Sequence, residues 1–301
     1  MHTSTISFPG IGIGEFEVNS SFFGTTVQWY AVIIVLGMIA AVSYTVIQAK
    51  KIGITFEDVI DFALFTIPFG IIGARLYYVL TSLDEFDSFG EAIAIWNGGL
   101  AIYGGIIAGG ITVLCVCYFK KINFFAFADC VSPGVLLAQG IGRWGNFMNG
   151  EAYGVQTDSF IRMGLQNGNV NSDIADGIIT GVNYGEMAYV HPTFLYESLW
   201  NLLGVLLVYL YAKFIHKKYD GQLFLMIFGW YGFGRMFIEG LRTDSLYIGP
   251  AEWGIRVSQV LGGAIFVVAA ALLVYFIFKK PTKPFYHKNN TTAKNVKKGK
   301  K

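Results

Sequence analysis

The chain has 301 residues, of which 54% are hydrophobic and only 14% charged, and its mean hydropathy is +0.51. Soluble domains carry about a quarter charged residues, so the composition excludes an ordinary soluble domain and makes repeated membrane spans the primary reading. The formal net charge of +2 is uninformative by itself, and no nucleic-acid partner is expected.

Residues 1–26 carry neither a basic leader nor a small-residue cleavage site, so no signal peptide is expected. Glu15 and Glu17, set among Phe, Ile and Gly, suit a short segment at the outer interface. A first span, Val27 to Ala49, opens with Trp29-Tyr30 at interfacial depth and stops at Lys50-Lys51. A second, Val59 to Leu80, contains Pro68 and the Gly73-Ala74-Arg75 triplet, which places a cation in or near the membrane. The following loop is acidic (Asp84, Glu85, Asp87, Glu91), as expected outside. The third span, Ile95 to Phe119, begins Trp96-Asn97-Gly98-Gly99 and presents Gly105 and Gly109 as a small face for close helix approach. Lys120-Lys121 returns the chain inside. The fourth, Phe125 to Asn149, is the least hydrophobic and is placed centrally.

Residues 150–191 are polar, rich in Gly, Asn and Asp, and too long for a simple connection; an outer loop or small cap is expected. The fifth span, Pro192 to Phe214, starts beside His191, with the proline tolerated in the first turn. The sixth covers Gln222 to Gly240 and the seventh Val257 to Phe278. Seven spans put the amino terminus outside and the carboxyl terminus in the cytoplasm, with every lysine cluster on one side. The fold class expected is therefore all-α and polytopic, with a seven-helix catalytic domain over 1–278. Residues 279–301 are expected to form a disordered lysine-rich cytoplasmic tail, with too few apolar residues to fold it. Cys115, Cys117 and Cys130 have neither metal-ligand spacing nor a disulfide framework and read as buried small hydrophobes.

None of the six arginines lies in a lysine cluster, so they are not topology markers. In this topology the fourth span brings Arg143, Asn146, Asn149 and Glu151 to the outer leaflet. The sixth brings Arg235, Glu239 and Arg242, spaced i, i+4, i+7 and so on one stripe. Arg75, Asn97, Tyr103, His191, Glu197 and Tyr30 arrive at the same end from the other spans. Two readings stand at this point. Arg235–Glu239 and Arg143–Glu151 are ion pairs that hold the bundle together, or the guanidinium groups line a cavity for a lipid phosphate, which their planar donor fork fits. Arg75 divides evenly between helix packing and lining that cavity. Tyr103 is a proton carrier or an interface anchor, and His191 an acid–base group or a helix-start residue. Spacing alone does not choose between an enzyme and a transporter of anionic amphiphiles. Against the transporter, no internal repeat pairs the fourth-span motif with another.

The stretch Gly142-Arg143-Trp144-Gly145-Asn146-Phe147-Met148-Asn149-Gly150-Glu151-Ala152-Tyr153-Gly154 resembles the signature of the bacterial prolipoprotein diacylglyceryl transferase family. His191-Pro192-Thr193-Phe194-Leu195-Tyr196-Glu197 and the block from Gly234 to Arg242 look like two further family blocks. Trp29-Tyr30, Gly73-Ala74-Arg75 and Trp96-Asn97-Gly98-Gly99 follow in the expected order. The resemblance implies an enzyme of the bacterial plasma membrane. It would move the diacylglyceryl group of phosphatidylglycerol onto the lipobox cysteine thiol of a preprolipoprotein and release glycerol 1-phosphate, with membrane lipids as its surroundings. Under it, Arg143 and Arg235 hold the phosphate, Glu239 and Arg242 orient them, and Asn146, Asn149 and Glu151 position the head group. Gly154, Tyr30, Arg75, His191 and Glu197 complete the substrate-binding set. Many members carry histidine where this chain has Tyr103, whose reference pKa of about 10 suits hydrogen bonding better than base catalysis near neutral pH. No metal or cofactor is expected.

Overall fold

The computed structural model describes residues 3–24, 26–86, 88–248 and 254–279, with the side chains of Glu85 and Asn97 left aside. Asp87 of the acidic loop and the tail beyond Lys279 lie outside the described residues. Among the described residues the helices are α1 (Trp29–Lys51), α2 (Phe56–Thr81), α3 (Phe89–Ile93), α4 (Ile102–Lys120), α5 (Phe124–Asn149), α6 (Gly168–Ala175), α7 (Thr193–Phe214), α8 (Gln222–Ile238) and α9 (Val257–Phe278). Six of them, α1, α2, α4, α5, α7 and α9, are long and apolar enough to cross a membrane. α8 has 17 residues, about 26 Å at helical rise, because the chain tightens into a 3-10 turn at Glu239–Leu241. The chain is a membrane protein, and its helices fall into two compact units. Among the described residues, one takes those up to Ala41 and those from Val131 to Lys279, the other Val42–Cys130.

In the second unit, α2 starts three residues before the expected span because Thr55 and Asp58 form a capping box. The Thr55 hydroxyl accepts from the Asp58 amide at 3.2 Å, and the Asp58 carboxylate accepts from the Thr55 amide at 3.1 Å. α2 and α4 cross at Gly73 and Gly104, where a Cβ on Gly104 would sit 2.2 Å from the Gly73 carbonyl oxygen. Gly105 and Gly109 also face α2, against Gly70 and Thr66. α4 begins at Ile102 rather than Ile95, since Gly98 and Gly99 adopt φ of 86° and 72° and interrupt the helix. Cys117 and Cys130 are buried, whereas Cys115 is exposed on α4.

The first unit corrects the all-α expectation. β1 (Thr3–Phe8), β2 (Ile13–Asn19), β3 (Met163–Gln166) and β4 (Ala188–Val190) form one antiparallel sheet in the order β2-β1-β3-β4. The amino-terminal segment is thus a hairpin, and residues 150–191 fold around it as a cap with its own core. Ile6, Val18, Met163, Leu165, Val170 and Val190 are buried there together with Tyr153 and Phe194. β3 and β4 have only four and three residues, and β3 meets β1 across more than a hundred positions, with Ile6 opposite Leu165, so that pairing leaves no local hairpin signal. Phe194 belongs to α7, and Phe147 and Met148 of α5 pack on the same core, so the cap is seated on the helix ends that carry the polar motif. α5 is the most buried of the six long helices: 56% of its apolar window is buried, against 39% for α7 and 11% for α9.

Candidate active site

Close helix contacts deliver the charged residues of the first unit to one place. Trp200 of α7 and Trp230 of α8 stack at 4.1 Å, and each indole N–H donates to the other residue's carbonyl, at 3.0 and 2.8 Å. Gly204 and Gly234 make room for these rings; a Cβ on Gly234 would lie 2.1 Å from Trp200 Nε1. The clasp fixes Glu197, just before Trp200, against Arg235, just after Gly234. Gly232 and Gly262 let α8 and α9 touch, with a Cβ on Gly232 only 2.5 Å from the Gly262 oxygen. On α5, Gly145 faces the ring of Tyr30 from α1, where a Cβ would come within 2.7 Å. The Trp144 indole donates to Ser198 Oγ at 3.2 Å, tying α5 to α7.

The result is three guanidinium groups on one carboxylate. Glu197, its side chain 6% exposed, lies 2.7 Å from Arg143, 3.2 Å from Arg235 and 3.1 Å from Arg242. Glu239 Oε2 sits 2.7 Å from Arg235 Nη2, off the line of a hydrogen bond. Arg242 is held again by Asp244, with Nε and Nη2 donating to its two oxygens at 2.8 and 2.6 Å. Three arginines thus meet three carboxylates, Glu197, Glu239 and Asp244, and the centre is close to neutral. Arg143 Nε–H is buried and has no hydrogen-bond partner. A buried unused donor beside a planar cation is a standing demand for an acceptor.

The expected Arg235–Glu239 pair is present. Arg143 pairs with Glu197 instead of Glu151, because Glu197 reaches it from the first turns of α7. Glu151 is held by amides: Asn146 Nδ2 and Asn149 Nδ2 donate to its Oε1 at 3.0 and 3.3 Å. Asn146 turns its oxygen to Arg143 Nη1 at 3.3 Å, so one carboxamide links the arginine centre to Glu151.

Gly154 works through its backbone. Its amide donates to the His191 oxygen at 2.9 Å, its neighbour Val155 donates to the Leu241 oxygen at 2.7 Å, and it bridges Arg242 as an isolated antiparallel pair. A Cβ there would lie 2.8 Å from both His191 Cβ and the Leu241 oxygen. Glycine is therefore required for the end of the signature to cross the start of α7 and the Arg242 segment. His191 Nδ1 is 3.1 Å from the Tyr196 hydroxyl. Burial lowers the His191 imidazole below its ordinary value of 6.5, so it is neutral at neutral pH.

Burial works to raise the Asp244 carboxyl, but the hydrogen bond and charge of Arg242 outweigh it and hold the group below its ordinary 3.8. Burial likewise opposes the charged form of Arg242, and the hydrogen bond and charge of Asp244 overcome it and raise its pKa. Sequence reasoning missed Asp244; its only signal was its place two residues after Arg242.

Arg75 and Tyr103 lie in the second unit. Arg75 is buried and donates to four backbone carbonyls: Ala92 at 2.8 Å, Gly98 at 2.6 Å, Gly99 at 2.9 Å and Glu91 at 2.7 Å. Those bonds fit the packing reading better than the anion-binding one. Tyr103 is half-buried beside Tyr77, with ring centroids 6.5 Å apart, and its hydroxyl has no hydrogen-bond partner among the described residues.

A family model described as prolipoprotein diacylglyceryl transferase matches residues 18–275. Three relatives from Streptococcus pneumoniae, strains Hungary19A-6, G54 and D39, are named phosphatidylglycerol–prolipoprotein diacylglyceryl transferase. Each is 42% identical over 261 residues, covering 86% of this chain and 93% of the relative. With the signature stretch and the arginine centre inside the matched region, the chain belongs to the prolipoprotein diacylglyceryl transferase family.

Proposed function

We propose that this protein transfers the diacylglyceryl group of phosphatidylglycerol to the lipobox cysteine of a preprolipoprotein, the first step of bacterial lipoprotein maturation. The observation that carries this reading is the gathering of Arg143, Arg235 and Arg242 on Glu197, with Arg143 Nε–H unused. The cysteine sulfur, once deprotonated, attacks the glyceryl carbon that bears the phosphate ester. A carbon–sulfur bond forms, the carbon–oxygen bond breaks, and its electron pair leaves on the oxygen of glycerol 1-phosphate. Charge on the phosphate rises by one during the step, which is where fixed donors lower a barrier most. Arg143 and Arg235 take the phosphate oxygens, Glu239 and Arg242 orient them, and Asn146, Asn149 and Glu151 hold the head group. Glu197 serves as the resident anion that keeps three like charges together before substrate arrives. Tyr103 offers a free hydroxyl to the lipid or peptide, Tyr30 and His191 border the substrate, and Gly154 keeps the backbone crossing that aims Arg242.

In this reading the seven spans of 1–278 form the catalytic domain, with α8 the short sixth span that brings the count to seven. The amino terminus and the 150–191 cap lie outside, and residues 279–301 lie in the cytoplasm. The membrane is the bacterial plasma membrane. The test is incubation of purified protein with phosphatidylglycerol and a lipobox peptide, followed by peptide mass. A gain of one diacylglyceryl group is expected. An unchanged peptide, from folded protein, overturns the reading.

A further inference from the structure

The sheet of the first unit has one open edge. On one side β4 is covered: the Thr157 amide donates to the Tyr189 oxygen at 3.0 Å, and Gln156 bridges Val190. On the other, β2 pairs only with β1 among the described residues. All seven residues of β2 except Val18 are exposed, so the N–H and C=O groups on its free side meet no strand. Such a row of main-chain groups is a template for a further strand. The edge also leads to the candidate active site. Ser4 of β1 stands opposite Val18 of β2, and Asn167 Nδ2 donates to Ser4 Oγ at 3.1 Å and to the Gly150 oxygen at 2.8 Å. One carboxamide thus pins this end of the hairpin to the residue before Glu151. Ser20, two residues past Val18, shares a cavity wall with Asn149 and Glu151.

Charge and backbone chemistry choose the occupant. Glu15 and Glu17 project from the same face of β2, and no lysine or arginine precedes Lys50. Neither carboxylate has a hydrogen bond or ion pair among the described residues. A second copy pairing antiparallel through β2 sets these carboxylates beside their twins, which like charge opposes. An anionic lipid surface is repelled by the same two charges, and hydrocarbon leaves the free amides and carbonyls unsatisfied. An extended polypeptide satisfies them whatever its side chains, and a basic one also meets the carboxylates.

We propose that the open edge of β2 takes up the acceptor polypeptide beyond its cysteine as a fifth strand, with Glu15 and Glu17 favouring basic side chains in that segment. The inference rests on the transfer reading above and concerns the polypeptide rather than the lipid. Main-chain pairing holds the chain away from the reacting atoms, so it lowers KM for the peptide and leaves the chemical step alone. Only every second residue of a paired strand turns its N–H to the neighbouring strand. That alternation is a signature that side-chain contact alone does not give.

In the test, full-length protein with phosphatidylglycerol receives a set of lipobox peptides, and thioether product is followed by peptide mass. Each peptide carries a single N-methyl group on one of about six residues after the cysteine, one strand's length. KM for the peptide is expected to rise about three- to tenfold at alternate positions, the worth of one amide hydrogen bond. Turnover is expected to stay within about twofold. Peptides with lysines in that segment are expected to have a KM about threefold below those with glutamates at low salt, and the double variant Glu15→Lys/Glu17→Lys is expected to reverse the order. Equal KM along the whole segment, or a rise at every position alike, overturns the inference while the transfer reading stands. So does a charge preference that the double variant leaves unmoved. A change in that variant that is the same for every peptide and follows the fraction of anionic lipid marks β2 as a lipid contact and also overturns the inference. Absence of thioether product with any peptide overturns the transfer reading itself.

Discussion

Arg75 and Arg143 are both buried arginines of a membrane protein, and the two units satisfy them in opposite ways. Arg75 spends its fork on four backbone carbonyls, two in α3 and two between α3 and α4, and its face is covered by Tyr78 and Phe86, whose centroids lie 5.7 and 5.2 Å from the guanidinium carbon. Carbonyls are fixed to the chain and cannot be displaced without unfolding it, so this arginine is a structural rivet. Arg143 shares a side-chain carboxylate with two other arginines and keeps a donor unused. Side-chain partners can turn away when a better anion arrives. The type of acceptor, more than burial, separates these two arginines.

The contrast can be broken most severely at the shared acceptor. Glu197→Ala leaves three guanidinium groups facing one another without their common anion, and breaking buried pairs of this kind costs about 3–5 kcal/mol. Thermal melting in detergent should show a large fall in Tm, and Glu197→Asp should restore part of it; an unchanged Tm for the alanine variant breaks the account of Glu197 as the organising anion. Next in size is Arg143→Ala. Removing one donor from a developing oxyanion costs about 100- to 1000-fold in turnover, so thioether formation should fall by that order in protein that still folds. Arg143→Lys should recover little, because a single ammonium lacks the fork.

Arg75→Lys sharpens the other side of the comparison. It forfeits carbonyl bonds worth about 1–3 kcal/mol in total and should lower Tm, while KM for phosphatidylglycerol stays within about twofold. A KM rise with Tm intact would move Arg75 into the substrate site. The smallest effect is in pH. Asp244 titrates below its ordinary 3.8 in the folded protein, so the folded state binds fewer protons than the unfolded one in that range. Its pairing with Arg242 contributes fully above the ordinary value and is lost as the pH falls through the lower folded one. Tm of wild type and Asp244→Asn should therefore differ near neutral pH and converge in strong acid.

Hydropathy alone determined the membrane class and the spans of α1, α2, α5, α7 and α9 to within a few residues, because a bilayer demands long apolar runs whatever surrounds them. The arginines outside the lysine clusters, read with the i, i+4, i+7 stripe of Arg235, Glu239 and Arg242, already marked where the charge would gather. Pairing was another matter. Glu151 follows Arg143 closely in the chain, yet Glu197 takes that arginine, because the Trp200–Trp230 clasp and its two glycines dock α7 on α8 and bring its first turns to the site. The sheet within the expected loop or cap was not legible for the same reason: β1 meets β3 across about half the chain, with Thr5 opposite Gln166, and strands of a few residues carry no periodic signal until a partner is beside them. Local pattern is written along the chain, whereas the choice of partner is made by close contacts between segments that the sequence keeps far apart.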